Sequence, residues 1–334
     1  MTKAAAQSVL LDVTQAGNRL VAVGERGIVV LSDDGGKHWR QAKVPTSVSL
    51  TAVVFPSPKQ GWATGHAGTV LHTEDGGESW TRQLDGKTAA RLFLDAAQAK
   101  AQAAKPGDAA AQKALAEAAR LVADGPDKPF LALFFESETM GFVVGAYNLI
   151  LRTDDGGKTW KPWLDRVDNP KGLHLYAIRA AGKTVYLAGE QGLFLRSTDG
   201  GMNFTRLTTP YGGTYFALAV TSTGEVIAAG LRGNAYRTAD QGKTFSKIDV
   251  PLPISFSATV TLPDGRLLLA NQAGMLFESR DQGKSVQPLA SVRLPPVAGM
   301  TPLGDGSLIT VGYAGALRIP MTEAAPGTEK GATR

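Results

Sequence analysis

Six aspartates recur in one setting, Ser/Thr-x-Asp-x-Gly-x-x-aromatic, and carboxylates so repeated could bind a metal or do acid–base work. They are Asp34, Asp75, Asp155, Asp199, Asp240 and Asp281. Five of these Asp boxes end in Trp39, Trp80, Trp160, Phe204 and Phe245, and the sixth ends in Val286. Each box offers one or two carboxylates, and successive boxes are 41 residues or more apart. No single site then gathers the ligands a metal needs. A structural job suits these residue types better. An Asp at a turn accepts hydrogen bonds from backbone N–H groups, and Gly supplies a positive φ. The aromatic leads the next strand and packs into the core. We therefore expect structural boxes, no metal and no cofactor.

Arginine forms a second set. The residue before the box Ser or Thr is Arg152, Arg196 and Arg237, and Arg318 takes the matching place near the C-terminus. Two readings stand. The guanidiniums pair with nearby carboxylates and carbonyls, or they form a cationic arc for an anionic partner, since Arg favours planar recognition of carboxylates.

These residues sit on a repeat. A Gly-x-x-Gly step begins at Gly24, Gly65, Gly189, Gly230 and Gly312, with degenerate copies at Gly145 and Asn271. The spacing is 41 residues except across the second and third gaps. Such self-similarity marks an array of supersecondary units. In the second unit, Thr51–Phe55, Gly61–Thr64, Thr69–His72 and Ser79–Gln83 read as four short strands broken by Pro, Gly and Asp. One such meander cannot bury both faces, whereas radial repetition can, which predicts a seven-bladed β-propeller of four-stranded antiparallel blades. We expect a single domain over 8–321 and a disordered tail over 322–334. The seventh unit runs out after three strands, so its fourth is expected from residues before Val9.

Meander geometry puts every Asp box at one face and every Gly-x-x-Gly turn at the other. The turns carry the variable residues Arg26, His66, Tyr147, Glu190, Arg232 and Tyr313, candidates for contact with a partner. An insertion breaks the repeat on that same face. Its composition shifts to Ala, Gln, Lys and Leu, good helix formers. Leu92, Ala96, Ala99 and Ala103 make one apolar stripe, and Leu115, Ala118, Ala119 and Val122 another, with Pro106-Gly107 between them. A helical hairpin over 88–124 follows, either a decoration or a docking element that could lid the central funnel.

Bulk properties exclude some functions. The net charge is +5 with no run of Lys or Arg, so nucleic acid is not expected as a partner. The absence of Cys removes disulfides and thiolate metal sites. Met1–Gln7 holds no apolar signal core. Either the start is cytosolic, or an export signal has already been removed.

Segment 61–80, together with 141–160 and 23–39, resembles the BNR or Asp-box repeats of the photosystem II stability/assembly factor family and its bacterial relatives. The resemblance spans about 9–320 apart from the insert. It implies a non-enzymatic scaffold outside the cytoplasm, with the export signal already absent. It also implies a membrane-associated protein partner, a resistance-nodulation-division exporter being one such complex in non-photosynthetic bacteria. We expect a monomer. The alternative is a sialidase-like glycoside hydrolase or glycan-binding propeller. Leu317-Arg318-Ile319-Pro320 is similar to a sialidase fragment, but in those enzymes it precedes the boxes. Tyr147, Tyr313, Glu190 and Asp12 are present for such chemistry but have no motif around them, and the paired carboxylates of another glycosidase class have only Glu25 and Glu190 as turn candidates, on non-adjacent blades.

Overall fold

The computed structural model describes residues 5–321. Among them, seven antiparallel sheets follow one another along the chain, six of four strands and a seventh of three. Blade one is typical, with strands Leu10–Ala16, Arg19–Gly24, Val29–Ser32 and Arg40–Gln41 hydrogen-bonded in that order. The first strands pack side by side in a ring. They are Leu10–Ala16, Leu50–Val54, Phe130–Phe135, Leu175–Ala181, Tyr215–Val220, Phe256–Thr261 and Val297–Pro302, and the last packs on the first. They therefore surround the propeller axis. Second strands are buried along nearly their whole length, as in Gly61–Gly65 and Gly141–Gly145, because each is covered by a blade on both faces.

The two glycines of the step do different work. At Gly24 the backbone is extended, yet a Cβ there would collide with the Val9 carbonyl and Leu10. At Gly27, φ is +69° and a Cβ would strike Thr46 on the crossover to blade two. One glycine seats the turn on its own blade and the other on the next crossover. Gly315 in blade seven meets Ala6 and Gln7 in the same way, so the N-terminal segment stands where a crossover would be. The fourth strand expected there from residues before Val9 is not formed in the described part. Ala5–Gln7 is a 3-10 turn packed against Gly315–Pro320 instead. The tail over 322–334 lies outside the described residues.

The insertion forms two helices, α1 (Gly86–Ala103) and α2 (Ala109–Asp124). Asp85 caps α1 through Thr88 N–H, and Asp108 caps α2 through the N–H groups of Ala110 and Ala111. The expected stripes are displaced. Ala89, Ala90 and Phe93 bury α1, while Ala96, Ala99 and Ala103 are exposed. Ala111 and Ala118 bury α2, while Ala119 and Val122 are exposed. Alanine is apolar enough to suggest a face but too small to choose one, and Phe93 decides it. The hairpin does not lid the funnel. Phe93 joins Leu84, Phe130, Leu149 and Trp160, and Lys100 reaches Asp165 at 2.6 Å, so its anchorage lies over blades two and three. No helix among the described residues is long and apolar enough to cross a membrane.

Candidate functional site

The Asp boxes are closed local networks. In all six, an Asp Oδ1 accepts the N–H four residues on at 2.9–3.0 Å. The other oxygen meets that residue's side chain at 2.5–2.9 Å. The box hydroxyl accepts the glycine N–H four residues on at 2.7–3.0 Å. Hydrogen bonds from Thr159, Ser197 and Thr244 pull Asp155, Asp199 and Asp240 respectively down to about 2. A depressed folded pKa contributes stability above the unfolded value, and that stability is lost as pH falls through the folded one. The boxes should therefore make the thermal midpoint fall as pH drops from about pH 4 to about pH 2. Asp155→Asn should remove part of that slope. A midpoint flat across this window would contradict the role. Of the box aromatics, Trp80, Trp160 and Phe204 are buried, while Trp39 and Phe245 are half-buried.

The four arginines lie toward the box face and are engaged within the fold. Arg196 donates to Gln241 O at 2.6 Å, a carbonyl in the next blade's box turn. Arg237 donates to Gln282 O in the next box at 2.8 Å and pairs with Glu225 at 3.0 Å. Arg152 pairs with Asp154 at 2.6 Å and stacks on Trp163. Arg318 pairs with Asp305 and approaches Gly35 of the first box. The side chains of Arg152 and Arg237 are only 11% and 13% exposed. Arg152 also donates to Met202 Sδ of the next blade at 3.0 Å, so these guanidiniums stitch blade to blade.

The opposite face is different. Arg26, His66, Tyr147, Arg232 and Tyr313 are exposed there, each on its own turn. Arg26, Ala67, Tyr147, Gln191 and Arg232 all take φ between 50° and 56°, left-handed backbone that glycine occupies more cheaply. Glu190 and Tyr147 are brought together through His174. Glu190 accepts His174 N–H at 3.0 Å, and the His174 ring lies 4.8 Å from Tyr147. His174 stacks on Tyr176, which meets Phe216 edge-on at 5.3 Å. Lys128, at the end of the insertion, lies 5.6 Å over Tyr147. An aromatic track thus runs from the rim of blade three to the axis. Leu92 and Leu115 are half-buried on the hairpin.

Tyr176 and Phe216 were not among the sequence candidates. Both occupy a one-residue bulge that every first strand carries at its second position, at Leu11, Thr51, Leu131, Tyr176, Phe216, Ser257 and Ala298. Bulges re-aim side chains, and all seven are half-buried at the channel mouth. The sequence does hold a signal for it, a large residue, the bulged residue, then Ala, in five of the seven blades.

Tyr147, Tyr313 and Glu190 sit at the turn face, whereas Arg152, Arg196, Arg237 and Arg318 sit toward the box face. The groups a sialidase-like reaction would combine are divided between the two ends of the propeller. Among the described residues, no three His, Asp or Glu converge on a metal-sized site.

Solved structures of the same fold serve different ends. A structure described as YCF48 bound to D1 peptide superposes with TM-score 0.67 at 16% identity, over 95% of this chain and 94% of that one. A streptogramin B lyase superposes with TM-score 0.69 at 14% identity, over 93% of each. At these identities the likeness shows the fold alone. The photosystem II assembly lipoprotein Ycf48 of Synechococcus sp. (strain CC9902) is 38% identical over 77 residues, 23% of this chain and 23% of that protein. The chain therefore matches under a quarter of that relative's length. The family profile described as Photosynthesis system II assembly factor YCF48 matches residues 2–101 and 120–249, well over half the chain, with the break inside the helical hairpin. A chain that carries this profile on both sides of its insertion, and folds into the seven Asp-box blades it implies, belongs to that family of photosystem II assembly factor-like propellers.

Proposed function

We propose that this protein is a non-enzymatic scaffold that works outside the cytoplasm and binds a protein partner with its Gly-x-x-Gly face. One observation carries the reading. Five large apolar side chains are exposed among the described residues, and four of them, Val122, Tyr147, Leu231 and Tyr313, lie on this face or its hairpin. Tyr313 is 71% exposed and Tyr147 56%. Exposed aromatics held on a rigid frame are typical anchors of protein interfaces. The relative named a lipoprotein supports a place outside the cytoplasm, and the relative bound to a peptide supports a polypeptide ligand. An envelope or membrane-transport complex, such as a resistance-nodulation-division exporter, is the partner class we infer.

Tyr147→Ala and Tyr313→Ala together should weaken retention of the partner captured from envelope extract by about tenfold or more. The propeller should stay folded, since neither side chain is part of the core. Equal retention by the double variant and the unaltered chain would refute this face as the docking surface.

A further inference from the structure

The seven first strands hold only two charged residues, Asp12 in blade one and Arg179 in blade four. The position after each bulge is Ala52, Ala132, Ala177, Ala217, Ala258 or Gly299 in six blades and Asp12 in the other. Small residues are needed where the strands converge, as a Cβ on Gly299 would come within 2.9 Å of Asp12 Cα. The Asp12 carboxylate accepts N–H groups from Val13 and from Val53 of blade two, both at 2.9 Å. Burial nevertheless raises its pKa to about 6. Arg179 lies across the axis. Its guanidinium donates to Ile178 O at 2.8 Å and has no other hydrogen-bond or ion-pair partner among the described residues. Water in the channel reaches it, yet protein surrounds it on all sides, so desolvation lowers its pKa, with Asp12 opposing the shift. A guanidinium has five N–H donors, so most of these remain open. Tyr176, on the same strand, meets Phe216 edge-on, and this aromatic pair stands among the bulged residues at the channel mouth.

We propose that the axial channel binds a small carboxylate with an apolar tail, gripped by Arg179 and covered by the aromatic pair Tyr176 and Phe216. The planar guanidinium fork matches a carboxylate in two parallel bonds. Asp12 sets the pH range. Ionised, it repels a second anion, and protonated, it does not. Strands packed against Leu10–Ala16 are Arg19–Gly24, Leu50–Val54, Val297–Pro302 and Ser307–Gly312. Their one charged residue, Arg19, is taken by Asp33 and Glu78, which leaves Arg179 as the charge facing Asp12. Binding should strengthen as pH falls through the Asp12 pKa. This site is separate from the partner surface and does not depend on it.

The test is calorimetry on the full chain with 3-phenylpropionate, its neutral amide and inorganic phosphate. Saturable one-to-one binding of the carboxylate is expected at about pH 5, weaker by about tenfold at about pH 7.5, one pKa unit of coupling being tenfold. The amide should not bind. Arg179→Gln should abolish binding, Arg179→Lys should weaken it, and Asp12→Asn should remove the pH dependence. Binding unchanged in a folded Arg179→Gln, equal binding of amide or phosphate, or a wild-type affinity that does not vary with pH would overturn the proposal. If Arg179→Gln fails to fold, Arg179→Lys and Asp12→Asn still decide.

Discussion

Trp160→Ala is expected to destabilise the propeller by about 3–5 kcal/mol, the cost of a large buried aromatic and the cavity it leaves. Trp160 is 5% exposed and meets Phe135 edge-on at 6.2 Å, and Phe135 stacks flat on Trp62 at 3.9 Å. Leu84, Phe93, Phe130 and Leu149 belong to the same cluster, which blade two, blade three and α1 build together. Among the described residues the indole N–H has no hydrogen-bond partner, so the expected loss is one of packing. Trp39 occupies the same place in blade one but is only half-buried, and its indole donates to Gly36 O at 3.2 Å. Trp39→Ala should cost less, about 1–2 kcal/mol. The thermal midpoints of the two variants measure this. A Trp160→Ala midpoint equal to that of Trp39→Ala would contradict the ranking.

Removal of 88–124 should leave a folded propeller that no longer retains its partner. Gly86 and Pro126 are already in contact, where a Cβ on Gly86 would collide with Pro126, so a short link can close the gap. Loop-closure cost changes slowly with length. The truncation is not free, because Phe93 leaves the cluster that holds Trp160, and its burial contributes about 2–3 kcal/mol. The midpoint should therefore fall while blade structure survives, as far-ultraviolet dichroism would report. Trp160→Ala in the truncated chain should cost less than in the full one, because Phe93 and Trp160 belong to one packed cluster that the truncation already loosens. Unchanged partner retention by the truncated protein would make the hairpin a decoration and leave Tyr147 and Tyr313 to carry the surface.

The sequence by itself determined the blade count, the two faces, the family and the position of the hairpin. These follow from local backbone demands. A left-handed turn needs Gly27, a close approach needs Gly24, and the box turn needs an acceptor such as Asp155, so each leaves its mark wherever the unit recurs. What only the tertiary structure decided involves contacts between units. The expected cationic arc holds the blades together, because the carbonyls of Gln241 and Gln282 belong to neighbouring blades and no spacing rule connects them to Arg196 and Arg237. Phe93, and no alanine, chose the inward face of α1 because the propeller supplied a pocket for it. The seventh blade ends against a 3-10 turn at Ala5–Gln7, and forms no fourth strand among the described residues, because Gly315 leaves room for a chain to pass there. Asp12 and Arg179 lie 167 positions apart and face each other only because seven first strands converge on one axis, and that convergence turns two isolated charges into a site.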